Sequence, residues 1–312
     1  MRMSIDQQEF QPAYMELART GGLRQRAEAA YEQLRHCELC GWKCGIDRLT
    51  GKKGVCRTGI QALVSSYGPH FGEENPLRGW RGSGTIFFAR CNMRCQYCQN
   101  YDISQSDAGD PLDPADLAAI MLELERLGCH NINLVSPSHV VPQFLAALTI
   151  AAAAGLSLPI VFNTGGYDSQ EALRLLDGVI DIYMPDMKYA SQQIARHYSK
   201  IPHYPQTNQA AVKEMHRQVG DLQLAQGGLA QRGLLIRHLV LPNGLAGTAQ
   251  ILAFIAAEIS LDTYLNLMDQ YRPAYNVRTY RHKFPRLARP ITAEEFQNAV
   301  QTARALGLHR LD

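Results

Sequence analysis

The sequence predicts an α/β fold: a partial (β/α)6 TIM-like barrel, open and curved, preceded by an N-terminal helical and cysteine-rich extension. From about residue 85, short apolar runs alternate with longer stretches of helical period, the pattern of parallel strands joined by crossover helices. Six such units fall short of the eight that close a full barrel. No Gly-rich phosphate fingerprint follows any strand, and the adjacent glycines of "NTGGYDS" have the wrong spacing for one, which weakens a flat doubly wound sheet.

"TIFFA" (85–89) reads as the first strand of the repeat. Asp113 and Pro114 start a helix running to Leu127, aspartate as cap and proline in the first turn. "NINLV" (131–135), a helix near 141–154, "PIVFN" (159–163), a helix after Ser169 and "VIDIYM" (179–184) continue the alternation. The stretch 191–230 reads as mostly helical and polar, before "LLIRHLVL" (234–241), an apolar helix near 247–259 and "TYLNLM" (263–268). Residues 1–36 look helical, and 37–84 are rich in glycine, charge and cysteine without clear periodicity. The division is therefore an extension at 1–84 and a barrel at 85–312.

With 31 basic and 29 acidic side chains among 312 residues, the charge is nearly balanced, and nothing in it calls for a nucleic-acid backbone or an anionic membrane. Basic runs such as Arg278–Lys283 read as solvated surface. The opening "MRMSIDQQEFQPAYMELART" carries acids and glutamines where a signal peptide needs an apolar stretch, and no later segment has the length of a membrane span, so a cytoplasmic protein is expected. Eight cysteines in a reducing compartment point to metal binding or redox chemistry rather than disulfides.

Seven of the eight fall in two clusters. "CNMRCQYCQN" (91–100) supplies three thiols, Cys91, Cys95 and Cys98, just after the first barrel strand, where a barrel places its reactive groups. Structural zinc and ferredoxin-type clusters each take four protein ligands; a 4Fe-4S cube held by three cysteines leaves one iron to chelate an external group. Tyr97 would offer a flat face suited to stacking on a purine. Cys37, Cys40, Cys44 and Cys56 give C-x2-C-x3-C-x11-C, compatible with a closed zinc site or an auxiliary iron-sulfur cluster.

The triad with its aromatic resembles the radical S-adenosylmethionine (SAM) signature. Together with "CELCGWKCGIDRLTGKKGVC" and "HFGEENPLRGWRGSGTIFFARCNMRCQYCQNYDISQ", it is similar to a poorly characterised branch of the pyruvate formate-lyase activating enzyme family. The resemblance implies that the open iron binds SAM and that one electron splits the sulfonium, giving a 5'-deoxyadenosyl radical that abstracts hydrogen. It implies a protein or peptide substrate, a glycyl-radical enzyme being the default, and an electron donor such as flavodoxin or ferredoxin.

Polar residues at the ends of the expected strands are the candidate pocket: Ser136, Pro137, Ser138 and His139; Asn163 and Thr164; Asp186 and Lys188; Asp269 and Gln270, with Arg237 and His238 inside the fifth strand. In the related family a Gly-Gly-Glu motif after the second strand holds the amino group of SAM, whereas this chain has "SPSH"; Ser136, Ser138 and backbone carbonyls could meet the ammonium instead. By resemblance Asn163, Lys188, Arg237 and Gln270 match SAM-pocket positions, and Gln99 and Asn100 close the triad motif. His139 reads on its own as a hydrogen-bonded loop histidine, and Cys129 as a small buried hydrophobe. Two other classes fit less well. One is a zinc-binding interaction protein on a barrel scaffold, the other a zinc hydrolase using the triad and His139, for which no general base lies adjacent.

Overall fold

The computed structural model describes residues 10–312, so the first nine residues of the expected N-terminal helical stretch lie outside the described residues. The strands are β1 (Ala62–His70), β2 (Ser83–Phe88), β3 (Asp110–Leu112), β4 (Ile132–Val135), β5 (Ile160–Thr164), β6 (Ile182–Pro185), β7 (Gln223–Leu224), β8 (Ala230–Leu239) and β9 (Tyr264–Met268). β2, β4, β5, β6, β8 and β9 pair side by side in that order, all parallel. These are the six strands of the sequence pattern, and their ordering is that of a partial barrel, with antiparallel β1 and β3 added beyond β2 and β7 on β8.

Local chemistry sets the crossovers. Asp113 accepts from the backbone N–H groups of Ala115 and Asp116 at 2.8 and 3.0 Å, starting the helix Pro114–Arg126. Ser169 caps Gln170–Leu176 in the same way. Both faces of the central strands are buried, and their residues divide by parity. Phe162, Tyr183, Leu234 and Ile236 pack outward in one cluster with the crossover helices, whereas Val161, Ile182, Met184 and Leu235 fill the barrel interior.

Two differences from the sequence reading have physical causes. "VIDIYM" enters the sheet only at Ile182, because Asp181 is turned to accept from the N–H groups of Ala13 and Ile160, at 2.8 and 2.9 Å, and the preceding turn uses Gly178 at φ +72°. Residues 62–70, which show no strand period, form β1; Gly68, Pro69 and an irregular register between Val64 and Ser66 hide the alternation. The N-terminal helices Tyr14–Thr20 and Gly22–Glu32 pack onto the barrel's outer layer, with Tyr14, Leu23, Ala27 and Ala30 in one apolar cluster with Phe144 and Ile160.

The loop after β1 turns into the barrel. Its short helix Asn75–Arg78 places Leu77, fully buried, among Val161, Ile182, Met184 and Leu235, and Asn131 donates to the Leu77 carbonyl at 2.8 Å. Asn131 directly precedes β4, so this plug closes the end of the barrel where the strands begin. Leu77→Ala is expected to destabilise the fold by about 2–5 kcal/mol, since the rigid barrel wall cannot collapse onto the void. Leu261→Ala, at a half-exposed surface position, serves as the neutral control in urea unfolding.

Candidate active site

The triad loop is anchored from several sides. Ala89 N–H bonds the carbonyl of Leu63 on β1, while Arg94 and Gln96 N–H groups bond the carbonyls of Ser199 and Tyr198 at 3.0 and 2.7 Å. Asn92 donates to the Tyr167 carbonyl at 3.1 Å, and its own carbonyl accepts from Trp42 Nε1 at 2.6 Å. Arg90 takes the turn at φ +67°. A loop held this way presents its thiols at fixed positions, as a site built on rigid supports requires.

Cys91, Cys95 and Cys98 line one cavity of ≈ 220 Å³ with Glu73, Asn100, Ser136, Asn163, Asp186, Lys188 and Arg237. Except for Glu73, which comes from the loop after β1, these groups follow β2, β4 and β6 or lie near the ends of β5 and β8, so they gather at the mouth formed by the C-terminal ends of the parallel strands. Ser199 Oγ donates to Cys95 Sγ at 3.0 Å, and Cys98 Sγ lies 3.2 Å from Ser104 Oγ. Burial pushes the Cys95 thiol up to about 12 and raises Cys91 as well; a bound metal reverses that preference by stabilising thiolate.

The charged groups form a connected set. Lys188 Nζ meets Asp186 Oδ2 at 2.5 Å; Arg237 donates through Nε to Asp186 at 2.9 Å and through Nη2 to Asn163 Oδ1 at 2.7 Å. Burial opposes the charge on each, but Arg237 and Lys188 outweigh it at Asp186 and hold that carboxyl below its ordinary value. Asp186, Glu74 and Glu73 in turn keep Arg237 charged.

Five residues of the expected site lie elsewhere. Ser138 is buried, 3.1 Å from Thr164 Oγ1, which bonds Asp168 at 2.7 Å, so its hydroxyl serves a loop network. Tyr97 packs edge-on against Tyr189 and Tyr271 and accepts from the Tyr189 hydroxyl at 2.7 Å, behind the cavity wall. Gln99 donates to the exposed Gln270 carbonyl at 3.2 Å, placing both on the outer rim. His139 lies 3.1 Å from the Ala89 carbonyl; burial lowers it to about 3, so it is a neutral structural imidazole. Cys129 sits in the main core. The glycines of "NTGGYDS" serve packing: at Gly166, φ +70°, a Cβ would meet Asn208 at 2.1 Å and the Asp186 carbonyl at 2.6 Å.

Glu73 and Glu74, in "HFGEENP", were missed by pattern reading. The plug carries them inward, where Asn133 donates to Glu73 at 2.6 Å, Asn266 to Glu74 at 3.1 Å, and Arg237 Nη1 lies 3.6 Å from each. The available signal was two adjacent acids in a glycine- and proline-flanked stretch with no helix or strand period.

The four N-terminal cysteines also neighbour one another: burial raises the Cys40 and Cys44 thiols, with Cys37 and Cys56 adding to the effect at both. Arg48, fully buried, donates twice to the Gly59 carbonyl, lies 3.7 Å from Cys37 Sγ, and has no carboxylate partner among the described residues. All eight cysteines are free thiols. Among the described residues no three His, Cys, Asp or Glu side chains converge tightly enough to hold a single metal ion. The triad fits a cluster instead: three thiols from one loop wall a cavity with no fourth cysteine lining it. No helix among the described residues is long and apolar enough to cross a membrane.

The Radical SAM superfamily matches residues 85–223. An uncharacterised protein of Methanocaldococcus jannaschii is 30% identical, over 97% of this chain and 85% of its own length. Among solved structures, a radical SAM methyltransferase from Sphaerobacter thermophilus aligns at 13% identity over 73% of this chain and 65% of its own, TM-score 0.47. HydG, a maturase of the [FeFe]-hydrogenase, aligns at 14% identity over 71% and 48%, TM-score 0.48. The chain thus spans less than two thirds of either of these structures.

Burial and the adjacent Glu74 raise Glu73 from 4.5 to about 8. The folded state therefore binds this proton more tightly than the unfolded chain, and the stability it contributes below about pH 4.5 is lost as pH rises through 8. Glu73→Gln cannot ionise, so it should lose this dependence and exceed the wild type above pH 8 by about 1–3 kcal/mol. Urea unfolding at pH 5 and pH 8.5 measures both effects; equal pH dependence in the two proteins would contradict the buried acid.

Proposed function

This chain belongs to the radical SAM superfamily, and from that premise we propose that it is a cytoplasmic enzyme that reductively cleaves SAM to abstract hydrogen from a protein or peptide. The observation that carries the reading is the set of exactly three thiols, from one anchored loop, at the C-terminal mouth of a parallel partial barrel. Cys91, Cys95 and Cys98 would hold a 4Fe-4S cluster, with Asn163, Lys188, Arg237, Ser136 and Asn100 on the cavity wall toward SAM. When bound, the cluster supplies the electron that splits the sulfonium to a 5'-deoxyadenosyl radical. The chain's own part is geometric and electrostatic: the anchored loop fixes the thiols, and the Asp186–Lys188–Arg237 set holds charge in a site shielded from bulk water.

The family resemblance supports a substrate protein, with a glycyl-radical enzyme as the default. The surface beside the mouth supports an acidic partner, whether substrate segment or flavodoxin- or ferredoxin-like donor. A groove of ≈ 1090 Å³ opens from Gln99 and Tyr101 onto Arg272, Tyr275, Arg278, Arg281 and Arg289. Residues 271–293 contain no Asp or Glu, and only Arg289 of these arginines has an acidic partner among the described residues.

The neighbouring four-cysteine set, whose thiols as placed do not converge on a single ion, is read as a second metal centre, zinc or an auxiliary cluster, that would draw them together. Buried Arg48 supports this, because a thiolate-ligated metal supplies the negative charge that the guanidinium otherwise lacks. The scaffold reading, with both cysteine sets as structural zinc sites, has no use for a triad that opens on a charged cavity.

Anaerobically reconstituted and reduced protein should convert SAM to methionine and 5'-deoxyadenosine, and Cys95→Ala should abolish the conversion with loss of about four irons per chain. A loaded cluster that leaves SAM intact rejects the assignment. Cys40→Ser should remove only the metal of the second centre; zinc lost with iron retained identifies zinc, iron and sulfide lost together identify a cluster, and unchanged metal content shows that these thiols are unligated.

A further inference from the structure

The barrel interior beneath the thiols holds more acid than base. Glu73, Glu74 and Asp186 are the acids, Arg237 and Lys188 the bases. With all five ionised, three negative charges face two positive ones. Lys188 is committed to Asp186 at 2.5 Å, and Arg237 makes its close contacts with Asp186 and Asn163. Its Nη1 stays 3.6 Å from both glutamates, beyond a good hydrogen bond. The glutamate pair is therefore held by neutral amides, Asn133, Asn266 and, at 3.5 Å, Asn163, and lacks one full countercharge.

The pair does not serve closure of the barrel. Leu77 already fills that end, and two buried carboxyls cost stability that an amide or apolar residue in the same loop would not. Glu73 lines the cavity shared with the cysteine triad, while Glu74 stands beside it, 4% exposed, with its Oε2 free of any donor. A carboxylate on a cavity wall, backed by a second one and short of one positive charge, is an acceptor for a cationic hydrogen-bond donor.

We infer that Glu73, positioned by Glu74 and Asn133, binds a primary amino group of a ligand in this cavity through its N–H donors. The inference rests on the reading of the cavity as the SAM and cluster site. Two sources carry that chemistry: the amino group of SAM, for which the loop after β4 offers serines and no carboxylate, or an amine of the substrate. An amine that binds as the ammonium replaces a proton of the glutamate pair, which passes to the buffer; an amine that binds neutral leaves its own proton to the buffer and donates its N–H groups to the Glu73 carboxylate. The other charged or titratable groups facing the pair are Arg237, Asp186 and Lys188 around it, His70 and the thiols of Cys91, Cys95 and Cys98 across the cavity, and Tyr264 of β9 on the side of Glu74.

The test uses cluster-loaded protein, with iron content and SAM cleavage by the wild type established first, so that failure of the enzyme reading is seen separately. Titration calorimetry in two buffers of different ionisation enthalpy then gives affinity and proton release for two probes, SAM and, with SAM saturating, N-acetyl-lysine amide. If the amine is that of SAM, Glu73→Gln weakens SAM binding roughly tenfold or more, with partial recovery in Glu73→Asp. If it belongs to the substrate, SAM affinity is unchanged and the lysine probe shows those effects. The inference is overturned if both probes bind wild type and Glu73→Gln alike, or if SAM binding is unchanged and the wild type takes no lysine probe.

Discussion

Arg237 is the charge around which the interior of this protein is organised. One guanidinium, carried near the end of β8, touches Asp186 beyond β6 and Asn163 of β5 and faces both glutamates of the plug. Without it, three buried carboxyls would face a single ammonium in a low-dielectric space, and desolvation would favour their neutral forms. With it, Asp186 stays ionised and holds Lys188 beside the cysteines. Arginine suits the position because its planar fork donates in several directions at once, which a lysine could not reproduce.

The extension and the barrel meet at the same place. Trp42, two residues after Cys40, donates to the carbonyl of Asn92, the residue after Cys91, and packs edge-on against Tyr167. Gly41 lies directly against the Tyr167 ring, where a Cβ would come within 2.3 Å. The two cysteine sets are thus joined by direct contacts of their own loops. Order in one loop constrains the other, so a metal bound by the N-terminal set would also stiffen the triad loop, whatever its redox role.

Much of this was legible in the residues. The six parallel strands could be read because each is a short apolar run, the central ones buried on both faces, a pattern that survives without tertiary information. The triad was legible because its spacing is a chemical statement, Asn163, Asp186 and Lys188 because strand ends give no packing reason for polarity, and Arg237, inside its strand, through the family resemblance. Illegible were features decided by long-range packing: β1, whose Gly-Pro content hides its period, and the inward turn of 71–78, which local propensity does not encode. Tyr97 shows the same limit, since its position beside Cys98 did not reveal that its hydroxyl is taken by Tyr189.

The plug changes how the missing carboxylate after β4 is understood. An enzyme cavity needs a given charge at a given point, and the chain segment that delivers it is immaterial to the chemistry. Here the loop after β4 supplies Ser136 in a left-handed turn and buries Ser138 in a hydroxyl chain, so it brings no charge. The acids arrive from the opposite end, on a loop that Leu77 fastens inside the barrel and that Asn131, Asn133 and Asn266 hold from three sides. A segment that reads as an appendage to the barrel therefore provides both the floor of the cavity and two of its carboxyl groups.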